Sequence, residues 1–387
     1  MAVYILGGAR TPVGTFMGTL SSVPAPKLGA AAIEGALLKA NIEKSKVDEV
    51  FMGNVVTSGV GQAPARQASL MAGIPESVPA TTIGKVCGSG LQSVILGARS
   101  IMTGDNNVVV AGGMENMSLA PHLLMNSRTG SKFGPTEMKD PMQWDGLWDV
   151  YSNRPMGNCA EECVTKYKMT REEQDAFAIT SFKRAQAAIK DGSFKDEIVA
   201  VKVAVKGGTT DITEDEGPSK ANFEKMPGLK PAFEKTGTIT AANASSINDG
   251  AAAVVLAGDA YAAQAEFKIL GYASNAHNPT WFTTAPVEAV NKSLKKAGLT
   301  IEQIDLFEIN EAFATVTMAA MHELKIPHEK VNVFGGAIAI GHPIGASGAR
   351  ILVTLMNAMK KKKAKYGCTA ICIGGGEALS LIIERIK

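Results

Sequence analysis

No stretch of this 387-residue chain approaches 18 uninterrupted apolar residues, so the sequence offers no membrane-spanning helix. Met1-Ala2-Val3-Tyr4-Ile5-Leu6 runs straight into Gly7-Gly8 with no basic segment ahead of it, which reads as a soluble, untargeted, cytoplasmic protein. Charge of one sign is missing too. Thirty-nine basic against 37 acidic residues leave a net +2, which gives no electrostatic reason to expect nucleic acid or an anionic membrane. The one basic run, Lys360-Lys361-Lys362-Lys363, reads as a solvated helix C-terminus facing the negative end of the helix dipole. Cysteine is scarce and odd in number, five residues without small-scaffold spacing, which excludes a disulfide framework and fits reduced thiols. What remains, 45% hydrophobic and 20% charged, is ordinary for a globular enzyme of two or three domains or a fused pair.

Glycine is plentiful, and it gathers around three reactive side chains. Cys87 lies in Lys85-Val86-Cys87-Gly88-Ser89-Gly90, His342 in Gly341-His342-Pro343-Ile344-Gly345-Ala346-Ser347-Gly348, and Cys372 in Cys372-Ile373-Gly374-Gly375-Gly376. Glycine costs backbone entropy, so such runs mark tight turns or close approach to a ligand. Two thiols and an imidazole on such turns are the parts of acyl transfer through a thioester.

The chain also contains itself twice. Lys39-Ala40-Asn41-Ile42 followed by Val47-Asp48-Glu49-Val50-Phe51 matches Lys296-Ala297-Gly298-Leu299 followed by Ile304-Asp305-Leu306-Phe307-Glu308, an offset of 257. Ser89-Gly90 recurs as Ser347-Gly348 at 258, and Val109 to Glu115 recurs as Ile371 to Glu377 at 262. Each copy reads as helix, buried strand, helix, strand: Leu28 to Ala40, Val47 to Met52, Gly88 to Met102 and Asn107 to Ala111 in the first, with Ser347 to Met359 and Cys368 to Ile373 closing the second. Alternating helices and apolar strands imply layered α/β sheets covered on both faces. Residues 118–238 differ in texture, holding Trp144 and Trp148, many charges and the Pro- and Gly-bearing stretch Gly207 to Pro231. They read as an inserted loop domain with helices around Ala160 to Tyr167 and Arg171 to Lys190, after which Ile239 to Ala257 returns to strand character. The expected organisation is an N-terminal half from 1–117 with 239–265, the insertion, and a C-terminal half from 266–387.

A buried cysteine is usually a small hydrophobe, but Cys87 precedes a helix whose positive end is expected to lower its pKa toward thiolate. His342, held between Gly341 and Pro343, can take a thiol proton or donate to a developing oxyanion. Cys372 ends an apolar strand ahead of three glycines, with strand packing as the plainer reading. Cys159/Cys163 and Cys368/Cys372 also form two C-x-x-x-C pairs. Four residues along a strand span roughly 13 Å, too far for both sulfurs to reach one zinc, so no metal site is expected. Asn310, in Asn310-Glu311-Ala312-Phe313-Ala314, is either a helix N-cap or, at a strand's carboxyl end, a holder of a water or an oxyanion.

With Gly8-Ala9-Arg10-Thr11-Pro12 near the start, the four segments around Cys87, Asn310, His342 and Cys372 resemble the signatures of the thiolases, in order and across essentially the whole chain. The resemblance implies duplicated halves in five layers, αβαβα, with an inserted loop domain, assembled as a homodimer or homotetramer. It implies reversible Claisen condensation of two acetyl-CoA to acetoacetyl-CoA and CoA, in fatty acid metabolism, with no cofactor beyond the coenzyme A thioesters that are its substrates. Cys87 would be acylated, His342 would activate it, and Cys372 would exchange the α-proton. One oxyanion hole would join His342 to a water on Asn310, and the other would use the N–H groups of Cys87 and Gly374. Ser245, Leu147 and Met156 would contact coenzyme A, and Phe313 would lie beside the acyl group.

Four positions depart from the family's usual pattern: Gly84, Pro155 ahead of Met156, Phe282-Thr283, and Phe334 ahead of Gly335-Gly336. None removes a catalytic group, and what they put in question is the shape of the acyl pocket. Three other functions compete: a degradative 3-ketoacyl-CoA thiolase for longer chains, a non-catalytic acyl-CoA-binding protein, and a decarboxylating condensing enzyme. The last replaces the second cysteine with histidine or asparagine, and Cys372 stands against it.

Overall fold

The computed structural model describes residues 1–387. Nine strands carry its central sheets: β1 (Val3–Arg10), β2 (Glu49–Gly53), β3 (Ala80–Ile83), β4 (Val108–Asn116), β5 (Asn248–Ala257), β6 (Phe267–Ala276), β7 (Leu306–Ile309), β8 (Tyr366–Ile373) and β9 (Glu377–Arg385). They run in the order β7-β8-β9-β6-β1-β5-β4-β2-β3. The sequence duplication is a duplication of pairing. In the first half β2 lies parallel to β4, β4 antiparallel to β5, and β5 antiparallel to β1. In the second, β7 lies parallel to β8, β8 antiparallel to β9, and β9 antiparallel to β6. Even the irregularities repeat, with a register shift between Ile5 and Gly7 in one half and between Ile269 and Gly271 in the other. Hydrogen bonding does not stop at the boundary, because Val3, Tyr4 and Ile5 pair with Ile269, Lys268 and Phe267 and join the two sheets edge to edge.

The helices supply the other layers: α1 (Ala25–Ala40), α2 (Pro64–Met71), α3 (Ser89–Thr103), α4 (Met156–Tyr167), α5 (Arg171–Lys190), α6 (Ala285–Ala297), α7 (Ala314–Leu324) and α8 (Ile344–Lys362). α1 and α2 cover one outer face, and α6 covers the other, beside α7. α3 and α8 pack on each other in the middle, α8 meeting β4 and β5 on one side and β7 and β8 on the other. Every residue from Ile344 to Met359 is therefore buried, which accounts for the apolar, small-residue character of a helix that shows no polar face until its lysines. The two central helices cross at their repeat-related glycines. A Cβ on Gly348 would sit 2.4 Å from the Leu91 nitrogen, and one on Gly90 would sit 2.8 Å from the Ala349 nitrogen.

Residues 118–238 hold α4 and α5, with short hairpins at Trp148–Asp149 with Arg154–Pro155 and at Val201–Val205 with Gly208–Ile212. Both helices lie where the sequence reading put them, α4 starting four residues earlier than expected at Met156. The chain after Ile239 is irregular up to Asn248, so the expected strand is confined to its second part. Arg10 ties the insertion to β1. Its buried guanidinium donates from Nε to Glu197 at 2.5 Å and from Nη1 and Nη2 to Asp215 at 2.6 and 2.8 Å.

Candidate active site

Cys87 stands on a tight turn ahead of α3. Gly88 N–H donates to the Lys85 carbonyl at 3.0 Å, Lys85 N–H donates to Ser89 Oγ at 2.8 Å, and Ser89 Oγ donates to the Val86 carbonyl at 2.7 Å. Val86 pays for this shape in backbone strain: its φ of +43° is one that a β-branched residue rarely adopts. The backbone N–H groups of Gly374, from the turn after Cys372, and of Cys87 itself lie near enough to the sulfur to favour its thiolate. Burial nevertheless pushes the thiol up to about 11, with Glu115 adding to the effect. The helix end does not deliver a resting thiolate, contrary to the sequence expectation: desolvation outweighs two N–H groups. Cys372, buried at the end of β8, is held well above the ordinary thiol range by burial first and by its closeness to Cys87 second.

His342 lies in the bend between the short helical turn Ala337–Ile340 and α8, and its backbone N–H donates to Asn248 Oδ1 at 2.9 Å. Its Nδ1 lies 2.5 Å from Ser347 Oγ, which itself donates to the Pro343 carbonyl at 2.9 Å. The serine proton is thus committed, so Nδ1 must carry the hydrogen and Nε2 the free lone pair. Burial, helped by the charge of Arg350, lowers the imidazole to about 3 and keeps it neutral. Asn310 Nδ2 approaches Nε2 at 3.4 Å, while Asn310 Oδ1 is buried with no protein partner, free to hold a water or a substrate group. Asn310 is not an N-cap, because α7 begins only at Ala314, with Phe313 in the cap position.

These groups meet in one cavity of about 120 Å³, lined by Cys87, Gly146, Leu147, Met156, Gly157, Phe233, Ala244, Ser245, Phe282, Ala312, Phe313, His342, Cys372 and Gly374. Eight of the nine residues singled out in the sequence are on that wall, and Asn310 stands behind it through His342. Phe313 packs edge-on against both Phe233, at 5.9 Å, and Phe282, at 6.2 Å, so three rings close the apolar side. Of the departures, Phe282 therefore touches the site, whereas Phe334 packs on Phe194 in a separate core cluster and Gly84 faces open space. Phe233, Ser347, Asn248 and Glu115 escaped sequence reading. The Glu115 carboxylate accepts from Asn54 Nδ2 at 2.6 Å, from Val55 and Val56 N–H at 3.1 Å, and from Gly345 N–H at 2.9 Å, fixing the loop that carries His342.

No three histidine, cysteine, aspartate or glutamate side chains come together as a metal site. The spacing argument holds for Cys368 and Cys372 on β8 but not for Cys159 and Cys163, which lie on α4 in an apolar cluster.

The family model for the thiolase N-terminal domain matches residues 3–260, and that for the thiolase C-terminal domain matches residues 263–385. The chain is a thiolase. It is 51% identical over 391 aligned residues to acetyl-CoA acetyltransferase 2 of Arabidopsis thaliana, covering 99% of this chain and 97% of the relative. It is 50% identical to an acetyl-CoA acetyltransferase of Cupriavidus necator, covering 99% of each. Among solved structures, the thiolase superposes on Acat5 thiolase from Ascaris suum in complex with coenzyme A, with a TM-score of 0.95, 44% identity and full coverage of both chains. It also superposes on the Bacillus anthracis acetyl-CoA acetyltransferase with a TM-score of 0.97 and 38% identity, covering 100% of this thiolase and 99% of the other chain. The five-layered duplicated fold expected from the sequence is the fold of these neighbours.

Proposed function

We propose that this thiolase is an acetyl-CoA C-acetyltransferase, joining two acetyl-CoA into acetoacetyl-CoA and CoA, and running the reverse cleavage, through an acyl-enzyme on Cys87. The observation that carries the reading is the meeting, on the wall of one cavity, of two thiols and an imidazole that all rest neutral. The names of the relatives that are 50–51% identical over nearly the whole chain support acetyl-CoA as substrate.

In the cleavage direction, His342 Nε2 takes the Cys87 proton as sulfur attacks the 3-oxo carbon. The bond between C2 and C3 breaks, and the leaving carbanion of acetyl-CoA takes the Cys372 proton. His342 returns its proton to Cys372, and CoA thiol then displaces the acyl group, its proton passing back to Cys87. The N–H groups of Cys87 and Gly374 serve the oxyanion on the acyl carbonyl, and His342 with an Asn310-bound water serves the enolate oxygen. A high Cys372 pKa suits an acid that must be protonated when a carbanion forms. Leu147, Met156 and Ser245 line the approach for coenzyme A, with Phe313 and Phe282 against the acyl group.

Residues 1–117 with 239–265, 118–238 and 266–387 are read as N-terminal half, loop domain and C-terminal half. The thiolase is further read as a cytoplasmic homodimer or homotetramer serving fatty acid metabolism and needing no cofactor beyond its substrates. No helix is long and apolar enough to cross a membrane.

Incubation with acetyl-CoA and peptide mass analysis should place an acetyl group on Cys87, and a panel of 3-oxoacyl-CoA substrates should show highest kcat/KM at four carbons. An unmodified Cys87 sinks the mechanism. A rise in kcat/KM from four to eight carbons replaces the acetyl-CoA reading with that of a degradative 3-ketoacyl-CoA thiolase.

A further inference from the structure

The two halves exchange a glutamate. Glu115, near the end of β4, reaches into the C-terminal half and accepts the Gly345 N–H at the start of α8. Its repeat-related counterpart Glu377, the first residue of β9, reaches the opposite way to Lys85 Nζ, in the turn ahead of α3. Each acid thus holds the turn in front of the other half's central helix.

The second exchange sits at the reacting sulfur. Lys85 is two residues before Cys87 and bridges to it across the turn. Glu377 lies directly across from Ile373 in the hairpin that presents Gly374, and Gly375 and Gly376 take φ of +91° and +81° to make that turn. The other polar tethers of the Cys87 turn, from Lys85, Gly88 and Ser89, are local. They set its shape, while its place beside the Gly374 hairpin rests on the close packing of Gly88 on Ile373 and Leu379 and on this one polar cross-link. Val86, strained between Lys85 and Cys87, gives the turn a reason to relax when its hold is loosened. Both partners are part-exposed, so the pair contributes little to global stability, and its loss leaves the fold intact.

We propose that the Lys85–Glu377 ion pair is a positioning clasp that holds the Cys87 sulfur against the Gly374 N–H; this rests on the reading of Cys87 as the acylated thiol. Lys85 and Glu377 act through the turns they join and touch no reacting atom. Small displacements of a reacting group are costly, so Lys85→Met and Glu377→Gln should each slow Cys87 acetylation by acetyl-CoA about tenfold, with KM within about twofold and the melting temperature unchanged. The charge-swapped double variant K85E/E377K should recover to within about threefold of wild type.

A merely structural pair would not give a kcat-only loss restored by reversing both charges. Single variants that acetylate Cys87 at the wild-type rate overturn the clasp. So does a swapped double no faster than the slower single, or a loss confined to KM, which would make Lys85 a substrate contact. Wild-type protein that leaves Cys87 unacetylated overturns the nucleophile assignment and the clasp together, whereas normal wild-type acetylation with unaffected variants overturns the clasp alone.

Discussion

Cys87 and Cys372 rest as neutral thiols beside a neutral imidazole, so every charge in the reaction must be made during it. On the proposed mechanism the two thiols have separable tasks. Cys372→Ser should leave Cys87 acetylation measurable by mass within about threefold while condensation, followed as acetoacetyl-CoA, falls by at least about a hundredfold, because only the second step moves an α-proton. Stability should also record the burial. His342 titrates near 3 when folded and near its ordinary value when unfolded, so the unfolded chain takes up protons that the native one refuses. Its contribution is full above about pH 6.5 and is lost as pH falls from there. Glu115, raised by burial to about 7, has the opposite sign and costs stability as pH climbs from its unfolded value toward 7. In urea melts, the stability gap between wild type and His342→Asn should widen from pH 4 to 6.5, and the gap between wild type and Glu115→Gln should shrink from pH 4.5 to 7. The reactive residues were legible because glycine marked them. Ser347, Glu115 and Asn248 were not, since their worth lies in partners that only the fold supplies: Ser347 on His342, Glu115 on Gly345, Asn248 on His342.

Helices α3 and α8 carry the catalytic turns, and their crossing sets how those turns meet. Gly348→Ala should destabilise by about 1–3 kcal/mol in urea melts, since a Cβ there would sit 2.4 Å from backbone rather than from a side chain that could move aside. An unchanged midpoint would mean that the crossing is looser than its geometry. The sequence reading placed α5 to the residue and α3 within one, α5 opening on the capping box of Thr170 and Glu173 and α3 on the glycine-flanked Cys87 turn. It placed the start of α8 three residues late, at Ser347, because Ile344-Gly345-Ala346 follows Pro343 directly and glycine is a poor helix former. Asn310 was open to an N-cap reading because only four residues separate strand end and helix start, and sequence alone does not say which one owns the asparagine.

At the scale of the molecule, the repeat gave away the layers but not their joining. Nothing in Val3 to Ile5 announces that they pair with Phe267 to Ile269, because edge pairing depends on where two sheets end up. The halves are consequently less independent than their sequences suggest. Because α8 belongs to the second half yet is buried from Ile344 to Met359 partly against β4 and β5, residues 266–387 expressed alone should expose that surface, bind a hydrophobic dye and aggregate. Co-expression with residues 1–265 should restore soluble protein and acetylation of Cys87, and a well-folded isolated fragment would contradict this.

Internal two-fold symmetry makes every feature off the axis twice and leaves only what lies on it single. The starts of α3 and α8 meet near that axis, so one copy contributes the Cys87 thiol and the other the His342 imidazole to the same small space. The position matching Cys87 in the second copy is Gly345, where a side chain would begin 2.7 Å from both the Glu115 carboxylate and the Met114 carbonyl. A cysteine cannot be restored there. The duplicated chain has a single catalytic centre without a spare, and its two copies are no longer interchangeable but complementary.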